Sequence, residues 1–209
     1  MRRREGQASG RGAGIVSGTF VAIVGPSGAG KDTLIAHARG ALDGRPDYLF
    51  ARRLVTRPAN AFEDHDTIDE ASFEAGHATA TFALSWRAHG LGYALPVSII
   101  EVLGTGVHVV CNLSRAVLPL ARSRFPRVVV VEVTAPADVL AARLATRGRE
   151  TRAAIEERLA READRRCEVS ADLVIVNDRP IAETGGALVR FLAALQAEAL
   201  SPQAGLGDA

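Results

Sequence analysis

A glycine-rich segment near the N-terminus constrains the fold of this chain more than any other feature. The stretch G-P-S-G-A-G-K-D-T, residues 25–33, follows an apolar run at 19–24 and leads into a helical pattern. A strand, a glycine turn and a helix in this order form a phosphate-binding loop, whose backbone N–H groups surround oxyanions. The segment predicts a nucleotide-binding α/β fold with contacts from Gly25, Pro26, Ser27, Gly28, Ala29, Gly30, Lys31, Asp32 and Thr33.

The lysine of this segment supports the same interpretation. Lys31 is the only lysine of the chain, and every other member of its 25 lysine and arginine residues is an arginine. A compact ammonium fits among the N–H groups of such a loop, whereas a forked guanidinium would crowd it. A stray surface lysine would not explain this position among glycines. We therefore expect Lys31 to bridge the outer phosphates and to be catalytic.

The residue after the lysine departs from the usual loop. Serine or threonine normally stands there, and its hydroxyl binds Mg²⁺, but here Asp32 comes first and Thr33 second. The segment could be a damaged loop, a chance glycine cluster or a variant with its own chemistry. A carboxylate is also a hard oxygen ligand, so a magnesium site at Asp32 or Thr33 is predicted. The alternative is that Asp32 only stabilises the positive end of the following helix.

Beyond the loop, short β-like runs alternate with helical patterns. Strands are predicted over 19–24, 107–111, 127–133 and 173–176, the last three being continuous apolar runs typical of a buried parallel sheet. Helices are predicted over 31–42, 115–123, 136–147, 151–166 and 181–198. Residues 50–105 lack this alternation and are interpreted as an inserted substrate-binding region. The pattern predicts an α/β fold with a central parallel β-sheet flanked by helices.

Composition and charge argue against several classes of protein. The formal net charge is +1 at pH 7, which gives no reason to expect nucleic acid or a membrane as partner. No apolar run approaches the roughly 20 residues that span a bilayer, and the basic N-terminus lacks the apolar core of a secretory signal. Cys111 and Cys167 form no metal or disulfide pattern. We expect a cytoplasmic protein acting on small molecules, and the sequence leaves a homodimer open.

Several motifs together resemble the guanylate-kinase-like nucleoside monophosphate kinases over most of residues 19–195. They are the G-P-S-G-A-G-K loop, V-T-R at 55–57, Glu63 with Asp64, H-G-L-G-Y at 89–93, R-G-R at 147–149 followed by Arg158, and V-N-D at 176–178. The resemblance implies a P-loop kinase fold, Asn177 near the adenine of ATP, and an arginine-bearing lid. It also implies a single domain at 19–198, and the sequence on either side predicts a flexible lead-in at 1–18 and a loose tail at 199–209. Within the domain, 50–105 would bind the acceptor and 140–165 would form the lid.

The departures from that family change the expected acceptor. The glutamate that reads guanine in the family is replaced by Ser85, its second acceptor-phosphate arginine by Asn60, and its tyrosine after Asp64 by His65. A serine hydroxyl is a poorer acceptor than a carboxylate for the paired N–H donors of guanine. The strand end at 111–116 also lacks the family's carboxylates. These differences argue against a guanine nucleotide as the acceptor.

The same departures resemble the ribose 1,5-bisphosphate phosphokinases, enzymes of phosphonate degradation. The shared motifs are the loop with Asp32, T-R at 56–57, E-x-H at 63–65, A-L-S-W-x-A-x-G-L at 83–91, N-x-S-R-A at 112–116, and the stretch 143–150. The resemblance implies transfer of phosphate from ATP, with Mg²⁺, to ribose 1,5-bisphosphate, giving 5-phospho-α-D-ribose 1-diphosphate. An unusual nucleoside monophosphate kinase is the alternative, and a non-catalytic binding module of the guanylate-kinase type is a more distant one.

These motifs assign roles to residues outside the loop. Arg147 and Arg149 would close over the triphosphate and act in catalysis with Lys31, because lids of this kind carry the charge that stabilises the transferring phosphoryl group. Trp86 is expected to pack rather than to stack on a substrate that has no base. The expected acceptor-binding residues are Thr56, Arg57, Glu63, His65, Ser85, Tyr93, Arg115 and Arg158.

Overall fold

The structure, a computed structural model, describes residues 17–58, 65–88, 90–146 and 170–200, with side chains as far as residue 198. The elements in chain order are β1 (Phe20–Val24), α1 (Lys31–Ala41), β2 (Tyr48–Phe50), β3 (Arg53–Val55), β4 (His65–Thr67), α2 (Glu70–Ala78), β5 (Phe82–Ala88), β6 (Leu91–Pro96), α3 (Ser98–Gly104), β7 (His108–Asn112), α4 (Leu118–Arg124), β8 (Val128–Thr134), α5 (Ala137–Thr146), β9 (Leu173–Val176) and α6 (Ile181–Leu200).

Five parallel strands form the central sheet, in the order β2-β7-β1-β8-β9. All five residues of β1 are fully buried, because helices cover the sheet on both sides. Val21 and Ile23 pack towards α1 and α6, whereas Phe20, Ala22 and Val24 pack towards α3 and α4. Since β1 lies between strands that come later in the chain, the crevice beyond its carboxyl end is where such sheets bind ligands. The predicted α/β parallel architecture is confirmed.

The predicted elements agree with this sheet in most places. The four predicted strands correspond to β1, β7, β8 and β9 within one residue at each end. The strand β2 was not predicted, because three residues are too few to show a period. The helix predicted over 115–123 is a 3₁₀ turn at Arg115–Val117 followed by α4. The helix predicted over 151–166 lies outside the described residues.

A second sheet, which the sequence did not predict, lies within residues 50–105. Its strand order is β4-β3-β6-β5, with β3 and β4 parallel and the other pairs antiparallel. The helix α2 packs on one face of this sheet, where Phe73 fills the space above Gly92. Polar residues interrupt the short strands, so the alternation of apolar and polar residues is weak in the sequence.

None of the helices in the described residues has the length and apolar character that a membrane span needs.

Candidate active site

The glycine-rich loop connects the buried end of β1 to the first turn of α1. Its three glycines all have positive φ angles, 144° at Gly25, 85° at Gly28 and 89° at Gly30. A Cβ atom at Gly25 would lie 1.9 Å from the carbonyl oxygen of Val133, so the loop passes directly against the neighbouring strand β8. Only glycine accommodates both the backbone angle and this close approach. The loop therefore has the tight, helix-capping geometry that phosphate binding requires.

Lys31 is held across the loop. Its Nζ atom donates hydrogen bonds to the carbonyl oxygens of Gly25 and Pro26, both at 2.8 Å. These bonds place the ammonium inside the curve of the loop, at the N-terminus of α1, instead of leaving it in bulk water. A cation fixed in this position is pre-organised for phosphate oxygens. The predicted contact of Lys31 with the outer phosphates stays a prediction.

Asp32 is oriented by the end of β7. The Nδ2 atom of Asn112 donates a 2.7 Å hydrogen bond to Asp32 Oδ1, and Thr33, the second predicted metal ligand, is exposed beside it. The Oδ2 atom of Asp32 has no hydrogen-bond partner among the described residues. No group of three His, Cys, Asp or Glu side chains that could hold a metal occurs in the described ranges. One carboxylate fits Mg²⁺ bound together with substrate phosphates, which is the usual mode for this ion.

Hydrogen bonds connect the phosphate loop to the segment between β9 and α6. Asn177 Nδ2 donates to the carbonyl oxygen of Ala29 at 2.8 Å, and Asn177 Oδ1 accepts from Thr184 Oγ1 at 3.1 Å. Arg143, on α5, donates to the carbonyls of Asn177 and Gly28 at 3.0 and 3.4 Å. Both functional groups of the Asn177 amide are therefore used inside the protein. Its predicted contact with adenine stays a prediction, while its support of the loop is visible.

This support explains a strong constraint on Gly30. A Cβ atom at this position would lie 2.3 Å from Asn177 Nδ2, and the φ of 89° disfavours any side chain. We expect Gly30→Ala to break the bond from Asn177 to Ala29 and to lower the affinity for ATP at least tenfold, because the loop N–H groups lose their alignment. Isothermal titration calorimetry would measure this. The control Gly40→Ala, at an open position on α1, should bind ATP normally. Equal affinity of both variants would contradict the prediction.

The two faces of the second sheet separate residues that the sequence grouped together. Ser85 pairs with Ala94 across the strands and Trp86 pairs with Tyr93, so Ser85 and Tyr93 point to opposite sides. The Ser85 side is covered by α2, and Ser85 Oγ lies 2.8 Å from Nδ1 of His77. On the other side the rings of Trp86 and Tyr93 stack at 5.4 Å. The structure does not bring Ser85 and Tyr93 to one surface, and Trp86 packs as expected.

The remaining predicted acceptor residues lie at different depths. His65 is fully buried, and neither ring nitrogen has a hydrogen-bond partner among the described residues. Thr56 joins β3 to β6, since its Oγ1 accepts from the N–H of Gly92 at 2.8 Å. Arg57 is partly buried and is the second residue after the end of β3. The substrate contacts of all three residues stay predictions. Glu63, Arg147, Arg149 and Arg158 lie outside the described residues.

Arg115 forms a buried ion pair. Its Nη2 atom lies 2.9 Å from Glu132 Oε1, and the two side chains are 12% and 9% exposed. Glu132 stands opposite Val24 on β8, at the level where β1 enters the loop. A buried arginine with a carboxylate partner has most of its charge balanced internally. The pair fixes the start of the 3₁₀ turn below the site, and substrate binding by Arg115 stays a prediction.

The last two residues of β7, Cys111 and Asn112, supply no base or nucleophile. Burial raises the pKa of the Cys111 thiol to about 12, so this side chain stays protonated at neutral pH. The next residue, Asn112, has an amide that does not titrate. Asn112 and Arg143 contact residues of the loop, and the sequence alone did not predict these contacts. The motif N-x-S-R-A contained the signal for Asn112, but only the fold shows that it meets Asp32.

Comparisons with known proteins agree with this geometry, although the chain matches no protein-family model. It is 53% identical over 177 residues to ribose 1,5-bisphosphate phosphokinase PhnN of Methylobacterium radiotolerans, a match covering 85% of this chain and 98% of the relative. It is 48% identical over 176 residues to the protein of the same name from Acidiphilium cryptum, covering 84% and 93% of the two chains.

A solved structure shows the same fold. Guanylate kinase from Anaplasma phagocytophilum superposes with a TM-score of 0.60 at 19% sequence identity, over 89% of this chain and 88% of that one. The predicted P-loop kinase fold is therefore confirmed. Because the identity to the PhnN proteins extends over almost their whole length, the chain belongs to the ribose 1,5-bisphosphate phosphokinase family.

Proposed function

We propose that this protein transfers the γ-phosphoryl group of ATP to the 1-phosphate of ribose 1,5-bisphosphate. The products are ADP and 5-phospho-α-D-ribose 1-diphosphate. The observation that carries this proposal is the 53% identity over 98% of a relative named for the reaction. The geometry of the phosphate loop, with Lys31 held inside it, fits a phosphoryl-transfer enzyme.

On the donor side, the chain supplies positive charge and alignment. The loop N–H groups hold the outer phosphates of ATP, and Lys31 neutralises charge that develops between them during transfer. Asp32 and Thr33 would hold Mg²⁺, whose charge would offset that of the phosphates. Asn112 holds the Asp32 carboxylate through its hydrogen bond to Oδ1. Arg147 and Arg149 are proposed to close over the triphosphate, and Asn177 to adjoin its adenine.

On the acceptor side, no general base is needed. A phosphate monoester has its second pKa near 6 and is already an anion at neutral pH. An oxygen of that phosphate forms the new bond to the γ-phosphorus, while the bond to the β,γ-bridging oxygen breaks and its electron pair leaves with ADP. The end of β7 fits this chemistry, because neither Cys111 nor Asn112 can take a proton there.

The acceptor-binding residues then hold and align two anions. Arg57 is proposed to hold the phosphate that reacts, with Thr56, Glu63, His65, Ser85, Tyr93, Arg115 and Arg158 as the wider set of acceptor contacts. Bringing donor and acceptor phosphates into line is the main catalytic task when the nucleophile needs no activation. The arginines contribute by reducing the repulsion between two highly charged substrates.

The test offers the enzyme separate acceptors. ATP and Mg²⁺ are incubated with ribose 1,5-bisphosphate, GMP or dGMP, and the products are separated by ion-exchange chromatography. We expect 5-phospho-α-D-ribose 1-diphosphate from the first acceptor and at least 100-fold lower kcat/KM with GMP and dGMP, since no carboxylate stands at position 85 to read guanine. Efficient GMP turnover without formation of the diphosphate would establish a nucleoside monophosphate kinase. Undetectable ATP binding would instead favour a binding module.

A further inference from the structure

A cleft opens beside the phosphate loop, between α1 and the chain that leads from β2 to β3. Asp32 and Asn112 lie at its loop end, and Arg39 lies two helical turns further along α1. The first residue of β3, Arg53, also lines this cleft. A molecule in the cleft would therefore reach from the phosphate loop to the second sheet. Two of the seven lining residues are arginines, which suits an anion.

Arg53 differs from its arginine neighbours in its partners. Arg52 forms an ion pair with Asp66 at 3.0 Å, and Arg87 pairs with Glu70 and Glu74 on α2. Within the described part of the chain, Arg53 has no hydrogen bond or ion pair, and its guanidinium lies over the ring of Tyr93. Its guanidinium is partly buried, and although Asp32 lines the same cleft, no carboxylate among the described residues pairs with it. An arginine in this setting retains its full capacity to bind an anion.

The second sheet holds this guanidinium in place. Val55 pairs with Tyr93, and Arg53 lies two residues before Val55, so Arg53 and Tyr93 point to the same face. The Arg53 guanidinium lies 5.5 Å from the centre of the Tyr93 ring, which in turn stacks on Trp86. Stacking on an aromatic ring restricts the side chain without neutralising its charge. The stacked rings of Trp86 and Tyr93 thus support one partly buried cation, the Arg53 guanidinium.

The register of β3 and β4 adds a second polar group to this face. His65 stands opposite Arg53, and both of its ring nitrogens lack described hydrogen-bond partners although the residue is fully buried. Unsatisfied buried polar groups are rare and costly, and in proteins they often mark functional sites. This part of the face is therefore built from polar side chains rather than from the apolar residues that packing alone would favour.

We propose that Arg53 binds the second phosphate of the acceptor, the 5-phosphate that does not react, and thereby selects a pentose bisphosphate. The inference rests on the proposed function. Arg57, four residues further along and at most about 13 Å away along the strand direction, would hold the reacting phosphate. Arg57 lies two residues beyond the end of β3, and its long side chain can reach back towards the stacked Arg53, so that the two guanidinium groups hold the two phosphates of a single sugar. A nucleoside monophosphate has no second phosphate to place there.

The test pairs a variant with a truncated acceptor. Arg53→Gln and wild type are compared with ribose 1,5-bisphosphate and with ribose 1-phosphate, which lacks the 5-phosphate. Removing a charge-assisted hydrogen bond should lower kcat/KM for the bisphosphate about 10- to 100-fold and leave kcat/KM for ribose 1-phosphate within twofold. Arg53→Lys should recover part of the loss. An equal loss with both acceptors, or no loss with either, would overturn the proposal.

Arg45→Gln is the matched control. Arg45 also lies over a tyrosine ring, that of Tyr48 at 5.8 Å, but it is exposed and pairs with Asp47. This variant should keep wild-type kinetics with both acceptors. Thermal unfolding of Arg53→Gln should match the wild type, because the guanidinium has no described polar partner to lose. A large fall in its unfolding temperature would show a structural role instead.

A binding measurement gives a readout that does not depend on turnover. Trp86 is the only tryptophan and is one ring away from Arg53 in the stacked row. Ribose 5-phosphate, added without ATP, should change the fluorescence of Trp86 in the wild type and in Arg45→Gln. Arg53→Gln should need at least tenfold more ribose 5-phosphate for the same change. Identical titrations for all three proteins would overturn the proposal. If the wild type makes no 5-phospho-α-D-ribose 1-diphosphate, the proposed function fails, and this titration still decides whether Arg53 binds a sugar phosphate.

Discussion

Lys31→Ala is expected to lower kcat for phosphoryl transfer at least about 10³-fold while the protein stays folded. The variant removes the cation that the loop holds between the carbonyls of Gly25 and Pro26. These carbonyls are only partly buried, so water can replace the lost bonds and the free energy of unfolding should fall by about 1 kcal/mol or less. Steady-state kinetics with ribose 1,5-bisphosphate and thermal unfolding would measure the two effects. Activity within tenfold of the wild type would remove the loop lysine from the mechanism.

Two further measurements separate charge from position. Lys31→Arg keeps the charge but places a wider, forked group in the loop, and it should remain at least 100-fold less active than the wild type. Because the chain has no other lysine, acylation of side-chain amines reports on Lys31 alone. ATP should protect this amine in the wild type, which peptide mass mapping would detect. Full activity of Lys31→Arg, or equal labelling with and without ATP, would contradict the assigned role.

The loop could be predicted from sequence because its determinants are local. Three glycines at fixed spacing, an apolar strand before them and a helix after them are contiguous, and the backbone of nine residues makes most of the site. The buried parallel strands were predictable for a similar reason. A strand that is buried on both faces has a continuous run of apolar residues, as β8 does. Few other secondary-structure elements have such short, unbroken runs of valine and isoleucine.

The acceptor region could not be predicted in the same way. Its arrangement depends on pairing between strands that are far apart in sequence, such as β3 with β6, and on which face each residue takes. A shift of one residue in register would exchange the two faces. Ser85 and Tyr93 were grouped because both fall in one motif, but the register places Ser85 under α2 and Tyr93 beside Arg53.

Contacts between distant chain segments explain the other differences. Asn112 is 80 residues from Asp32, and Asn177 is 148 residues from Ala29, yet both amides act on the loop. The sequence around an asparagine at the end of a strand does not show whether its amide binds a ligand or supports a neighbouring loop. The sequence predicts the chemistry at the loop, and the fold identifies the side chains that hold the loop in shape.

Asp32→Ala is expected to lower kcat about 10²-fold and to raise the Mg²⁺ concentration needed for half-maximal rate at least tenfold. Asp32 takes the position where the usual loop carries a hydroxyl ligand for the metal, and one of its oxygens has no described protein partner. Asp32→Ser restores that usual hydroxyl and should recover part of the affinity for Mg²⁺. Rates measured over a titration of Mg²⁺ at saturating ATP would give both parameters. The matched variant Asn112→Leu keeps the Asp32 carboxylate but removes the hydrogen bond that orients it. Its kcat should therefore fall less than that of Asp32→Ala, by about threefold to tenfold.

The competing explanation for Asp32 makes a different prediction for the same variants. If the carboxylate only complements the positive end of α1, Asp32→Ala and Asp32→Asn should each lose about 0.3–1 kcal/mol of stability, with the Mg²⁺ dependence unchanged. Asn112→Leu would then affect neither rate nor metal dependence. A metal role requires the opposite pattern, in which the Mg²⁺ requirement rises in Asp32→Ala and Asp32→Asn even at temperatures far below unfolding. Because stability and metal dependence are measured on the same proteins, one experiment decides whether the carboxylate after the loop lysine binds the metal or only stabilises the helix.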